Sequence, residues 1–360
     1  MARDNPHDGQ VIAVSTSIAG PRRSGLQRRS VGPGEHRKPS EHSSTASADR
    51  ARALYLEVAR MYSSPLLMGP PICDELIALV EHMYTEEEAS LVRHLRPLPG
   101  KTAEAVAAAA HRTVEEARLI LEQLAHEKFL LLSSGAEDHR RYHLMPIVPG
   151  TFEMAMVRTS LDTLTAWHRR FAELFSVLYE TGFFVDYADH PVPWVRYVPV
   201  GETIEAHPQA LPSDRLEEVL DRYTTFAVGL CQCRVAEEIV GRGCERPVEN
   251  CVVFGNVAEL LIHHGKMRRA EKGEILEIKA AAAAAGLASF VAEIELRKNG
   301  GGAACSCCGC CCGALRTISQ FNAPGLIAPP HFLPEVELDK CTYCGRCASA
   351  CPVGATVVDV

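Results

Sequence analysis

The sequence predicts an α+β fold, a mostly helical, multi-domain chain with a small cysteine-rich module near its C-terminal end. Three observations carry this. The chain has 360 residues, 47% of them apolar, enough for two or three hydrophobic cores. Apolar residues recur at helical spacing between recognisable caps, and strands are assigned only to short stretches. The 15 cysteines are concentrated: only Cys73 precedes residue 231, and the last four share one short run.

In chain order, residues 1–48 read as a disordered tail, because Ser, Gly, Pro and Arg dominate and no apolar period appears. A helix over 49–63 puts Leu54, Val58 and Met61 on one face, and Pro65 and Pro70-Pro71 end it. Helical sequence from Ile72 to Leu95 is broken at Thr85-Glu86-Glu87-Glu88, a capping box. Thr102–Ala110 is a helix and His111-Arg112-Thr113 a turn. Thr113 then caps a second helix, Val114–Lys128, with Glu116 at its third position. Leu130–Leu132, a turn over 133–136 and Arg141–Leu144 read as a hairpin. Helix–turn–helix followed by a hairpin resembles a winged-helix domain of the bacterial regulator type, expected here over 49–145. Its second helix would be the groove reader, yet it presents Glu115, Glu116, Glu122 and Glu127 against Arg118 and Lys128. Phosphate repels such a face, so specific nucleic-acid binding is not expected.

Residues 146–332 are expected to form a helical, cysteine-rich domain. Phe152, Met156, Leu164, Phe171, Leu174, Phe175 and Leu178 supply a core stripe. Val195–Val200 is a strand, Ser213 caps a helix to Tyr223, Asn256–Gly265 and Glu274–Ala285 are helices, and Ser289–Arg297 is a strand. His263 and His264, just before Gly265, suit a helix C-terminus more than a metal. Cys231, Cys233, Cys244 and Cys251 lie within 21 residues, with Gly241, Gly243 and Pro247 among them. They are expected to converge on one metal centre, an iron–sulfur cluster or a zinc ion, with unligated thiols as the bland alternative. Arg234 is placed to offset thiolate charge. Cys305, Cys307, Cys308, Cys310, Cys311 and Cys312 put six cysteines into eight residues. Adjacent side chains diverge, so one mononuclear site cannot use all six. Either two centres share the segment or some thiols are spare, with zinc or copper storage the alternative.

The final run, Cys341, Cys344, Cys347, Cys351 and Pro352, has the spacing C-x2-C-x2-C-x3-C-P. Soft thiolates suit iron, the tight spacing lets one loop wrap a cube, and Gly345 permits turns that a Cβ forbids. A structural zinc site is the alternative, although such sites use two well-separated pairs. The run resembles the ferredoxin-type 4Fe-4S domain over about residues 333–360. That resemblance implies a [4Fe-4S] cluster on a half-ferredoxin βαβ unit, with Glu335–Leu338 as its first strand and Ala355–Val358 as its second. In two-cluster ferredoxins the fourth Cys of each run serves the other cluster, and there is no second run here. The module is therefore expected to be truncated after Val360, with the fourth ligand of the Cys341 cluster left open between Cys351, the Cys305–Cys312 segment and another chain.

The order of winged-helix segment, Cys-x-Cys-Arg, the Cys305–Cys312 run and the ferredoxin run resembles a group of multi-domain bacterial 4Fe-4S ferredoxin-type proteins. It implies cluster binding, with more than one cluster, and electron transfer between redox partner proteins. Two departures stand out: the missing second run, and Leu287-Ala288-Ser289 where many of those proteins carry a His. A redox-sensing regulator acting through the winged helix, or a subunit of an oxidoreductase, are the alternatives to a free electron carrier. Whether the chain is itself an enzyme is left open. An electron-transfer protein or oxidoreductase subunit is favoured over a free-standing oxidoreductase that reduces a small substrate at the Cys231 or Cys305 region. No G-x-G-x-x-G follows a strand and no G-x-x-x-x-G-K occurs, so flavin or nicotinamide has no support. The net charge of −8 argues against anionic membranes and nucleic acid, and no apolar run reaches membrane-spanning length. A long chain with no evident signal peptide and many thiols points to reduced cysteines in a cytoplasm. Homo-oligomerisation is left open.

Overall fold

Capping chemistry sets the N-terminal architecture. The computed structural model describes residues 46–97, 99–187, 193–200, 214–294, 300–329, 331 and 336–356. The expected tail lies outside these apart from 46–48, which belong to α1 (Ala46–Tyr62). Helices α2 (Asp74–Met83) and α3 (Glu86–Val92) follow. The Thr85 hydroxyl accepts from the Glu88 amide at 3.2 Å, and Glu88 accepts from the Thr85 amide at 2.9 Å. Glu88 is buried, and a carboxylate so placed needs a partner; Lys128 supplies one at 2.6 Å. Strand β1 (Lys101–Thr102), helices α4 (Ala103–Ala110) and α5 (Val114–His126), and strands β2 (Leu131–Ser134) and β3 (Arg141–Leu144) complete the unit. Thr113 and Glu116 form the second capping box. The three strands pair antiparallel in the order β1-β3-β2.

Helices α6 (Phe152–Met156) and α7 (Ala166–Glu180) lead out of this unit, and α7 packs on α2. Trp167 donates its indole N–H to the His82 carbonyl at 3.2 Å, while the His82 ring meets the Trp167 carbonyl at 2.8 Å.

The 146–332 region departs from the expected helical domain. A seven-stranded sheet is its frame, with β4 (Val195–Tyr197), β5 (Phe226–Leu230), β6 (Glu249–Gly255), β7 (Arg268–Ala270), β8 (Ala288–Ile294), β9 (Gly301–Cys307) and β10 (Ile327–Ala328). The spatial order is β10-β4-β8-β9-β6-β5-β7; only β10 and β4 run parallel. Helices α8 (Leu216–Leu220), α9 (Gln232–Ile239), α10 (Asn256–His263), α11 (Lys272–Ala284) and α12 (Gly313–Phe321) cover it. Burial on both faces explains why three strands escape sequence pattern. In β5 and β6, Phe226, Val228, Val252 and Phe254 join the core under α8 and α11, while Ala227, Cys251 and Val253 join the core under α10. A strand apolar on both sides shows no alternation. Strand β9 is further disguised by small residues. A Cβ on Gly302 would lie 2.3 Å from the Ala292 carbonyl oxygen, so only glycine allows this approach.

Helix boundaries otherwise follow the expected caps within a few residues, although α8 starts after Arg215, and Ser213 lies outside the described residues. Among the described residues of the C-terminal module, the short helix α13 (Arg346–Ala350) is the only regular element. The described parts of the two expected strands, 336–338 and 355–356, carry no strand. Val336 and Leu338 are half exposed there, and two isolated strands with so little apolar cover are marginal. Among the described residues no helix is long and apolar enough to cross a membrane.

Candidate metal centres

The sheet and its helices bring together cysteines that are far apart in sequence. Along β9, Cys305 and Cys307 sit two residues apart and therefore on one face. Cys251 of the neighbouring β6 lies beside them, because Val252 pairs with Ala304 in the ladder. Leaving β5, the chain turns into α9 with Cys231 as its N-cap and Cys233 in its first turn. Leaving the loop after β9, it turns into α12 with Cys312 as N-cap. Two helix N-termini thus deliver thiols to one place, where their partial positive charge favours thiolate. All six of these cysteines line a cavity of about 190 Å³, together with Phe152, Phe175 and Tyr179, and Cys308 and Cys311 reach its wall as well. The thiols lie close enough to act on one another electrostatically, Cys231 with Cys233 and Cys307 with both Cys305 and Cys312. The Cys233 thiol, opposed by burial and helped by Arg234, brings the Cys231 thiol down to about 6. Burial pushes Cys251 well up, and the neighbouring thiols Cys305 and Cys231 add to this.

Buried cations frame this site. Arg234 donates to the Pro247 and Ser306 carbonyls and to Asn250. Lys279 of α11, 1% exposed, donates to the Ala304 and Cys305 carbonyls and the Ser306 hydroxyl at 2.7–3.0 Å. Arg316 of α12 pairs with Glu237 at 2.6 Å and Glu180 at 2.7 Å, and stacks over Tyr179. Sequence reading anticipated Arg234 but missed Lys279 and Arg316. A signal for Lys279 existed: with Ile275 and Ala282 it occupies the buried stripe of an otherwise Ala-rich helix.

The expected grouping of Cys231, Cys233, Cys244 and Cys251 on one metal is not what the fold brings together. Cys244, in the loop between α9 and β6, lies instead with Cys308, Cys310 and Cys311. The four sulfurs are all within 4.8 Å of one another. The thiols of the 305–312 segment therefore divide. Cys305, Cys307 and Cys312 join the Cys231 side, while Cys308, Cys310 and Cys311 join Cys244. Tertiary pairing of β6 against β9 decides this, and spacing along the chain cannot reveal it.

The last four cysteines form a different kind of site. Cys344 and Cys347 are exposed, and Cys341 and Cys351 half-buried. Gly345 at φ +71° and Tyr343 at φ +54° give the loop its turns. Arg346 donates to the Cys344 sulfur at 3.4 Å and holds that thiol down at about 7. At Cys351, burial raises the thiol, but backbone N–H groups of Val353, Ala355, Thr356 and Gly354 together outweigh it and lower it. The end of this loop rests on the other cysteine segment. A Cβ on Gly309 would stand 1.7 Å from the Pro352 carbonyl oxygen, and Val353 packs into the layer of Cys307, Cys312 and Leu315.

Residues 334–356 match the family model of the 4Fe-4S binding domain. Neither the curated proteins nor the solved structures yield a match to this chain. With the cysteine sets above, the match makes this an iron–sulfur protein whose ferredoxin-type segment binds a [4Fe-4S] cluster. Soft donors only, two helix N-termini and charge-balancing cations fit the cavity thiols to an anionic iron–sulfur group as well.

Proposed function

We propose that the chain is an electron-transfer protein serving redox partner proteins, with Cys341, Cys344, Cys347 and Cys351 as ligands of one [4Fe-4S] cluster. The cavity thiols Cys231, Cys233, Cys305, Cys307 and Cys312, with Cys251 beside them, hold a second iron–sulfur group. Such clusters supply one-electron transfer at potentials tuned by hydrogen bonds and exposure. The observation that carries this reading is the join between the two sites: Cys344 and Cys347 face solvent, while Val353 of the same loop packs against the buried cluster that contains Cys307 and Cys312. A partner can approach the exposed edge while the buried thiols stay shielded. Arg346 and the backbone N–H groups around Cys351 stabilise charge at the exposed site, and Arg234 does so at the buried one. The test is iron and acid-labile sulfide per chain after anaerobic purification, with low-temperature EPR of the reduced protein. Cys344→Ala is expected to lose one cluster's iron and its signal while the rest of the iron remains. Protein that binds no iron, or a Cys344→Ala variant with undiminished iron, would overturn the proposal.

The order α3-β1-α4-α5-β2-β3 with sheet order β1-β3-β2 supports a winged-helix reading of the N-terminal unit. The two basic residues of the would-be reader segment are committed within the protein, Arg118 to Glu104 at 2.6 Å and Lys128 to Glu88. We therefore read it as a packing module and not as a duplex reader.

A further inference from the structure

We propose that Cys244, Cys308, Cys310 and Cys311 bind a single divalent metal ion in a closed tetrathiolate site, separate from both iron–sulfur sites. The distances carry the argument. The four sulfurs lie within 4.8 Å of one another, with Cys244 to Cys308 at 4.0 Å and Cys310 to Cys311 at 3.7 Å. A tetrahedral ion with metal–sulfur bonds of about 2.3 Å sets its sulfurs roughly 3.8 Å apart. A cube binds each thiolate to a different iron and spreads them further, so this set is too tight for one. The backbone makes the convergence feasible. Residues 309–311 form a turn, closed by the Cys312 amide donating to the Cys308 carbonyl at 3.1 Å, so the strand rule that separates adjacent side chains does not apply to Cys310 and Cys311.

The surroundings match a structural ion. Cys308 and Cys311 are 1% and 2% exposed, packed with Ala282 and Leu287. Four soft donors and no carboxylate or imidazole leave no open position, as in structural sites, and select zinc or ferrous iron over hard cations. Four thiolates on a divalent ion leave two negative charges. Arg246 reaches the Cys310 sulfur at 3.9 Å, and Arg234 lies close enough to Cys308 for its charge to act on that sulfur. The ion would tie the α9–β6 loop to the turn after β9, and so hold Cys307 and Cys312, on either side of that turn, facing the cavity. This assignment stands whether or not the cavity holds a cluster.

The full chain, purified anaerobically, is analysed for zinc and iron and by X-ray absorption at both edges. The expected result is one ion per chain with a shell of sulfur only at about 2.3 Å and no iron neighbour. Zinc appears at its own edge; mononuclear iron instead appears as a low-field ferric EPR signal after oxidation. Either metal supports the site. Cys244→Ser is expected to lose this ion entirely while the iron dependent on Cys344 remains, and Cys73→Ser, whose thiol lies in none of these sets, is expected to keep it. Nitrogen or oxygen in the shell, the absence of any mononuclear ion, or full retention in Cys244→Ser would overturn the proposal. The absorption measurement needs no variant, so a Cys244→Ser chain that fails to fold still leaves a decisive result.

Discussion

The cavity thiols and the Cys341 loop are built in opposite ways. Cys305 and Cys307 sit on a central strand, Cys231 and Cys312 cap helices packed on it, and buried Lys279, Arg234 and Arg316 are fixed by hydrogen bonds. That site takes its frame from the sheet and the helices packed on it. The Cys341 loop has one five-residue helix with no buried residue, and Cys344 and Cys347 are exposed while Cys341 and Cys351 are only half-buried. A segment that buries so little cannot offset its own ordering entropy, so the cluster must organise it. The same contrast holds for ion pairs. Arg316–Glu237 has side-chain exposures of 10% and 8%, against 70% and 63% for Lys340–Glu337.

That contrast can be broken by experiment. The largest effect is expected from Arg316→Met. Removing one partner of a buried pair leaves Glu237 with Arg242 alone, at 2.7 Å. The expected loss is about 2 kcal/mol, below the usual cost of a broken buried pair because Arg242 remains. Denaturant unfolding monitors it, and an unchanged midpoint would mean that the Arg316 network is not part of the site's frame. Iron removal comes next. Chelation under reducing conditions is expected to speed proteolysis within 338–356 on the order of tenfold, while the segments of the seven-stranded sheet stay protected. Equal protection with and without iron would remove the distinction between the two sites. The smallest effect is expected from Lys340→Ala, whose pair is solvent-exposed. Its stability should stay within about 0.5 kcal/mol of the parent chain, measured by thermal unfolding of the iron-loaded protein.

What the sequence by itself determined is local. The capping boxes at Thr85 and Thr113, and the C-x2-C-x2-C-x3-C-P spacing, depend on residues within a few positions of one another. Period and spacing report such contacts directly, and the match to the 4Fe-4S binding domain falls on that run. The tertiary structure decided what depends on distant pairing. Strands β5, β6 and β9 are buried on both faces and so carry no alternation, and the sheet they form went unread. With the sheet missing, proximity along the chain grouped Cys244 with Cys231, Cys233 and Cys251. Cross-strand register instead sets Cys251 beside Cys305, and the turn after β9 carries Cys308, Cys310 and Cys311 to Cys244. Which sulfurs can share a metal is a matter of three-dimensional distance, and only the folded sheet fixes it.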